Sequence, residues 1–272
     1  TDVHGKKFIE FIEKNPGFDV YFINPFLMES LMFQSQWENG EFHHRGITEI
    51  TNNVFKSIGY DSHILEKPQK SDIQLYSNYW VGNESFWLKY MSYTLPVYRY
   101  VENLTDTELL KLILTNADKK IQATYIPFIM ERLFTLLLMS DSSIRYMPYR
   151  YSNSELKKKY KVFFPFISIL ESIKEEEIST GLKKEDFRFR EKFRKIYDEL
   201  SLILFEMKMV LKKGRIIRFL KLLFLYNKEV SGLVDLYKEA STLGYSDGIN
   251  YGGFRGTKLY WMMNLFCLRF YY

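Results

Sequence analysis

Apolar residues recur at helical spacing from the first residues of the chain, with Phe8, Ile9, Phe11 and Ile12 on one stripe, and this predicts a helix to about Lys14. Asn15-Pro16-Gly17 then reads as a turn, and the apolar run Val20 to Ile23, bounded by Asn24-Pro25, as a buried strand. Helical patterns follow at about 26–37 and 47–58. Gln74 to Val81 reads as a second strand, and Asn83 is placed to cap the helix after it. Asp106, between Thr105 and the acidic Glu108, opens a further helix, and Ile126 to Met139 is apolar enough on every side to be a buried one. Ile144 to Tyr149 has the pattern of a last strand.

Beyond Tyr151 the pattern changes to almost continuous helix, over Glu155–Lys161, Phe187–Lys213, Ile216–Tyr226 and Leu233–Ala240. From Leu243 onward, Gly244, Gly248, Gly252, Gly253 and Gly256 alternate with aromatic residues, which suits a loop or hairpin ahead of an apolar end. Two regions result, 1–150 and 151–272. Alternating strands and helices in the first argue for an α/β layer architecture, and the second is a helical C-terminal region. Because the chain opens at Thr1 inside a helical pattern, further residues are expected upstream of it.

Composition narrows the function classes. With 46% apolar residues in 272, the chain can fill a sizeable core, which excludes overall disorder. The single cysteine, Cys267, excludes an internal disulfide framework, no Cys/His spacing suits structural zinc, and a cytoplasmic location is expected. Apolar runs such as Phe163 to Leu170 are far shorter than the ~20 residues of a spanning helix. The net charge of +5 is unevenly placed: Lys208, Lys212, Lys213, Arg215, Arg218 and Lys221 sit among apolar neighbours. The stretch 207–225 therefore reads either as a helix lying on a membrane surface or as an ordinary bundle helix with a solvated basic face. A nucleic-acid partner is not expected, because the basic cluster is short and no nucleic-acid-binding motif occurs.

Three segments have residues that can carry chemistry. Gln36-Trp37-Glu38-Asn39-Gly40-Glu41-Phe42-His43-His44-Arg45-Gly46 places two carboxylates, two imidazoles and two glycines between predicted helices. Glu and His exchange protons near neutral pH or hold a divalent metal, and the glycines would let backbone approach a ligand. The competing reading is a polar connecting turn in which Arg45 balances Glu41. Tyr76-Ser77-Asn78-Tyr79-Trp80-Val81-Gly82-Asn83 ends a predicted strand at a glycine, where an α/β protein receives ligands and where aromatic rings can stack on sugar faces. Pro127 to Phe134 interrupts an apolar helix with Glu131 and Arg132, which need either a function or a buried pairing.

Taken together, Asp19-Val20-Tyr21-Phe22-Ile23-Asn24-Pro25, the Ser-Asn-Tyr-Trp-Val run with Phe86, Trp87 and Tyr90, and Pro127-Phe128 with Glu131-Arg132-Leu133-Phe134 resemble a family of bacterial capsule and O-antigen glycosyltransferases. The resemblance covers about residues 18–150. It implies a GT-A-like domain, a Rossmann-like sheet with helices, moving a sugar from a nucleotide-sugar donor to a glycan or lipid-linked acceptor at the inner face of the cytoplasmic membrane. On this reading Glu131 is the general base and Glu41 a second catalytic group. Glu38, His43, His44, Asn78 and Tyr79 contact substrate, and Arg132 holds a phosphate. The family commonly binds Mn or Mg on an Asp-x-Asp motif, which this chain lacks. The motif then lies upstream, or the metal is held differently, or cations such as Arg132 replace it. A domain of the same origin that only binds glycan or partner enzymes is the alternative.

Overall fold

The computed structural model describes residues 2–118, 122–181, 184–212 and 216–245. They form a first compact unit, Thr1–Ser201, and a second, Leu202–Tyr272. In the first, helix α1 (Asp2–Lys14) leads into β1 (Val20–Phe22), and two short helices follow, α2 (Leu27–Met32) and α3 (Gln36–His43). Next come α4 (Ile47–Ile58), a 3₁₀ turn (Ser62–Glu66), β2 (Trp80–Gly82), α5 (Glu84–Glu102), α6 (Thr107–Leu114), α7 (Tyr125–Ser140) and β3 (Tyr146–Pro148). Helices α8 (Asn153–Tyr160), α9 (Pro165–Thr180) and α10 (Lys184–Lys212) complete it, α10 running on into the second unit.

Among the described residues the only sheet has three strands of three residues, ordered β2-β1-β3, with β2 antiparallel and β3 parallel to β1. The GT-A-like, Rossmann-like expectation is therefore corrected: the chain is mostly helical, with a small mixed sheet. The overestimate of sheet has a local cause in the run Gln74–Val81, of which only Trp80 onward is strand. Ser77 adopts a left-handed φ of 68°, and its N–H donates to the Glu131 carboxylate. Leu75 N–H donates to Thr135 Oγ1 at 3.3 Å, while the Leu75 carbonyl accepts from Gln36 Nε2 at 2.5 Å. Side chains thus satisfy the backbone groups that a neighbouring strand would have taken.

Helix α7 is the centre of the unit. It carries apolar residues all round, as a helix buried on every side must, and its two faces serve two cores. Ile129, Leu133 and Leu136 pack with Trp37, Ile47, Ile50, Val54, Phe55, Val97 and Ile113 from α3 to α6. Phe134, Leu137 and Leu138 pack with Val20 and Phe22 of β1, with Leu75, and with Phe86 of α5. Caps fix the helix starts: Asn83 accepts from Phe86 N at 2.8 Å, and Asp106 from Glu108 N and Leu109 N. An aromatic stack, with Phe166 5.0 Å from Phe193 and Phe163 4.6 Å from Tyr197, joins α9 and the turn before it to α10.

In the second unit, α11 (Ile216–Thr242) is one continuous helix across what the sequence reads as two segments. It buries Leu222, Tyr226, Leu233, Leu236, Tyr237 and Ala240, a stripe at helical spacing, and the end of α10 buries Met207 and Val210. The Gly/aromatic segment beyond Tyr245, Cys267 and much of the basic stretch after Val210 lie outside the described side chains. No described helix is long and apolar enough to cross a membrane.

Candidate functional site

The segment 36–46, expected as a loop, is helix α3 and the short turn that leads into α4. Ser35 caps α3, accepting from Glu38 N at 3.1 Å, while the Glu38 carboxylate accepts from Gln34 N at 2.5 Å. Gly40 serves packing: a Cβ there would stand 2.8 Å from Ile47 Cγ2 and 3.2 Å from Arg132 Nε. Gly46, at φ 94°, begins α4. Glu41 turns onto the first turn of that helix, accepting from Gly46 N at 2.9 Å and Thr48 N at 2.7 Å, so its charge meets the positive end of the α4 dipole.

The two imidazoles diverge. His44 is buried, stacked on Phe128 with 3.6 Å between ring centres, and its Nδ1 lies 3.3 Å from the Ala117 carbonyl; burial holds it below the usual imidazole range. His43 is exposed and edge-on to Phe42 at 4.9 Å. Arg132 is buried on α7, where Nε donates to Gln36 O at 2.9 Å, Nη1 to Phe128 O at 2.7 Å and Nη2 to Asn39 Oδ1 at 3.4 Å. Its guanidinium thus pins α3 to α7. Glu131, half-buried beside it, holds Ser77 and leaves Asn78 and Tyr79 exposed at the loop surface.

The structure therefore brings Glu131, Arg132 and the 77–79 loop together with α3, but commits the carboxylates of Glu41 and Glu131 to backbone N–H groups. Glu38 lies 3.3 Å from Arg190 Nη1 and 3.8 Å from Arg194 Nη1, both on α10. Arg190, buried, also reaches Glu177 at 2.9 Å, and on α9 buried Lys174 donates to the carbonyls of Ser30 and Phe33 at the end of α2. These contacts lock α2 and α3 against α9 and α10.

Sequence reading passed over the group this frame surrounds. Glu29, half-buried on α2, is pushed up to about 7, first by burial and then by the nearby charge of Asp198, with Arg194 opposing. Asp198, exposed on α10, is itself raised by burial of its carboxyl and lowered by Arg194. Asn39 Nδ2 lies 3.5 Å from Glu29 Oε2. The Tyr76, Tyr160 and Tyr197 hydroxyls are all close enough to feel the Glu29 charge. Arg194 is fixed between the rings of Phe33 and Phe42, 4.8 Å from each. Glu29, raised by burial and by the charge of Asp198, is therefore a carboxyl able to exchange a proton near neutral pH.

No group of three His, Cys, Asp or Glu side chains among the described residues is placed to hold a metal ion, so the divalent cation that the resemblance implies has no described site. Compared with known proteins, the chain matches no family model, no curated protein and no solved structure.

Proposed function

We propose that the chain is a transferase acting on an acceptor hydroxyl, with a nucleotide sugar as donor and a glycan or lipid-linked glycan as acceptor, in line with its resemblance to surface-polysaccharide glycosyltransferases. The observation that carries this reading is Glu29, a half-buried carboxyl tuned to about 7 beside Asp198 and Asn39. A base poised near the operating pH is what deprotonation of a hydroxyl requires. Glu29 takes the acceptor O–H proton as the acceptor oxygen bonds to the anomeric carbon. The bond from that carbon to the diphosphate breaks, and its electron pair leaves with the diphosphate. Glu29 thus has the general-base role first given to Glu131.

The test is transfer from a panel of nucleotide sugars, with and without manganese, by the wild-type protein and by Glu29→Gln. Loss of turnover on the order of 10²-fold or more, the scale of general-base catalysis, with an unchanged circular dichroism spectrum is the expected result. Equal turnover would remove the assignment.

One observation favours the non-catalytic alternative: Tyr79 is 56% exposed beside exposed Asn78, on a loop held by the Ser77–Glu131 bond. An aromatic face next to an amide suits glycan capture without chemistry. Glycan binding that Tyr79→Ala abolishes, in a protein with no transfer activity on any donor, would establish it.

Attachment to the inner face of the cytoplasmic membrane belongs to the same proposal. Leu202, Phe205 and Met209 are exposed along α10, and Phe224 and Leu225 on α11, with Phe224 73% exposed. Exposed apolar side chains within a lysine-rich stretch suit an anionic lipid surface. Co-sedimentation with anionic but not neutral vesicles at low salt supports it, and no sedimentation with either refutes it.

A further inference from the structure

Helix α5 has one face inside the fold and one outside it. Phe86, Thr94 and Val97 are buried, and Tyr93 packs against both cores. The opposite face is open over three turns: Leu88 is 65% exposed, Trp87 and Tyr98 47% each and Met91 39%, with Leu95 half-buried between them. At about 100° per residue, Leu88, Met91, Leu95 and Tyr98 all lie within about 40° of the direction opposite Tyr93. Their spacing of three, four and three residues is the a/d repeat by which one helix seats on another.

Two further observations say what covers this face. Trp87 stands at its flank with its ring 4.5 Å from that of Trp80 and edge-on to Tyr90 at 6.1 Å, so a large anchor is held in place before any partner arrives. The stripe also ends in charges of both signs. Glu84 and Glu102 bound it, Arg99 lies one turn before Glu102, and among the described residues none of the three forms an ion pair. Lys89, the other cation of α5, is committed to Asp141 at 2.7 Å. An anionic bilayer wants several lysines and arginines around the apolar residues, which this face lacks. Apolar positions closed by opposite charges suit a copy of the same helix.

We propose that the exposed face of α5 joins two copies of this chain as an antiparallel helix pair, with the two-fold axis at the level of Tyr93. Leu88 then meets Tyr98 of the second copy and Met91 meets its Leu95, each contact occurring twice by symmetry. Glu84 of the second copy arrives at the level of Glu102, and Arg99, one turn below, reaches both carboxylates. A parallel pair would set Arg99 beside Arg99 and Glu84 beside Glu84, so the charges favour the antiparallel one. At ~200 Å² for a large side chain left fully open, the stripe offers roughly 500 Å² per copy and about 1,000 Å² for the pair, the lower end of specific interfaces. The dimer is therefore a reversible one. It stands independently of the transferase reading, since no residue given a part in transfer lies on this face.

Sedimentation of the whole protein from low to high micromolar concentration tests this. The expected result is a mass that rises from the 32.7 kDa of one chain to twice that value. Met91→Asp, at the centre of the face, should weaken association on the order of tenfold or more, the scale of a central interface residue. Arg99→Glu should weaken it severalfold, and Arg99→Glu combined with Glu84→Arg should restore it, which only the antiparallel charge pairing gives. Met91 and Arg99 are exposed, and circular dichroism checks that each variant folds. Should Met91→Asp fail that check, Arg99→Glu and its double reversal decide alone. The mass of a single chain at every concentration, a dimer undiminished in Met91→Asp, or no recovery in the double reversal overturns the proposal. A protein that stays single in solution but floats with neutral vesicles, and loses that in Met91→Asp, would overturn it by giving the face to lipid instead.

Discussion

Replacing Glu29 by Gln gives a test of its environment that needs no substrate. A carboxyl whose pKa rises from 4.5 to about 7 on folding binds more protons folded than unfolded across that interval. The wild-type protein therefore loses stability as pH rises from its unfolded value through about 7, and the full advantage is present only below that interval. At ~1.4 kcal/mol per unit, the linkage between about pH 5 and about pH 8 amounts to about 2.5 kcal/mol. Glu29 keeps some contact with water, and screening reduces the expected figure to about 1–2 kcal/mol. Gln has nearly the same shape and does not titrate. Urea unfolding monitored through buried Trp37 should place the two proteins close together at the lower pH. The variant should gain about 0.5–1 M in midpoint at the higher one, for a slope of about 2 kcal/mol/M. Parallel pH profiles for the two proteins would refute the claim that burial and Asp198 hold Glu29 near neutrality.

Three substitutions test the structural roles assigned around it. Glu41→Ala removes the acceptor of two N–H groups at the start of α4 and should cost about 1–2 kcal/mol in thermal or urea unfolding, with sugar transfer within about twofold of wild type. Gly40→Ala should destabilise by about 1–3 kcal/mol, because the added methyl meets Ile47 and the fixed guanidinium of Arg132, outweighing the ~1 kcal/mol helix-propensity gain. Ser77→Gly should stabilise by about 1 kcal/mol, since glycine adopts the φ of 68° without the steric cost a side chain incurs. A neutral or negative result for this last change would show that the serine is unstrained there.

The local signals were legible. Asn83 and Asp106 cap the helices that the sequence assigns to them, β1 and β3 lie within their expected runs, and α7 spans Tyr125–Ser140 where Ile126–Met139 reads as buried helix. The segment 36–46 misleads because Gly40 and two adjacent histidines look like loop composition. Yet Ser35 and Glu38 stand at the Ser-x-x-Glu spacing of a helix start, and that signal describes α3. The sheet was overestimated because the strand reading of Gln74–Val81 depends on whether a neighbour supplies hydrogen bonds. Gln36, Thr135 and Glu131 supply them instead, from other parts of the chain. Glu29 gave no local signal at all. It sits in the ordinary pattern Leu27-Met28-Glu29-Ser30-Leu31-Met32, and its raised pKa comes first from burial and then from Asp198, against Arg194, all of which only the tertiary fold supplies.

The acids thus divide by what already occupies their lone pairs, and that division does more than sequence context to locate chemistry. Glu131 and Glu41 accept backbone N–H groups, and Glu38 accepts one while facing two guanidinium groups. Their lone pairs are committed, so these side chains serve as fixed acceptors for a loop, a helix and an ion network. Glu29 has only one long contact from Asn39, while its half-buried setting and its acidic neighbour favour taking a proton. Among the described residues the ion network makes no ion pair with the Glu29 carboxylate, on which Arg194 acts through its charge; it holds the helix that carries it. Lys174 fixes the end of α2 through the Ser30 and Phe33 carbonyls, and Arg190 donates to the Met32 carbonyl at 3.2 Å. Loosening either contact should leave the Glu29 side chain intact but spread its position, and a proton acceptor displaced by about 1 Å loses much of its rate. A Lys174→Met protein that folds yet shows a lowered kcat with an unchanged pH profile would identify that device as positional, whereas a shifted profile would place Lys174 among the groups that set the charge of Glu29.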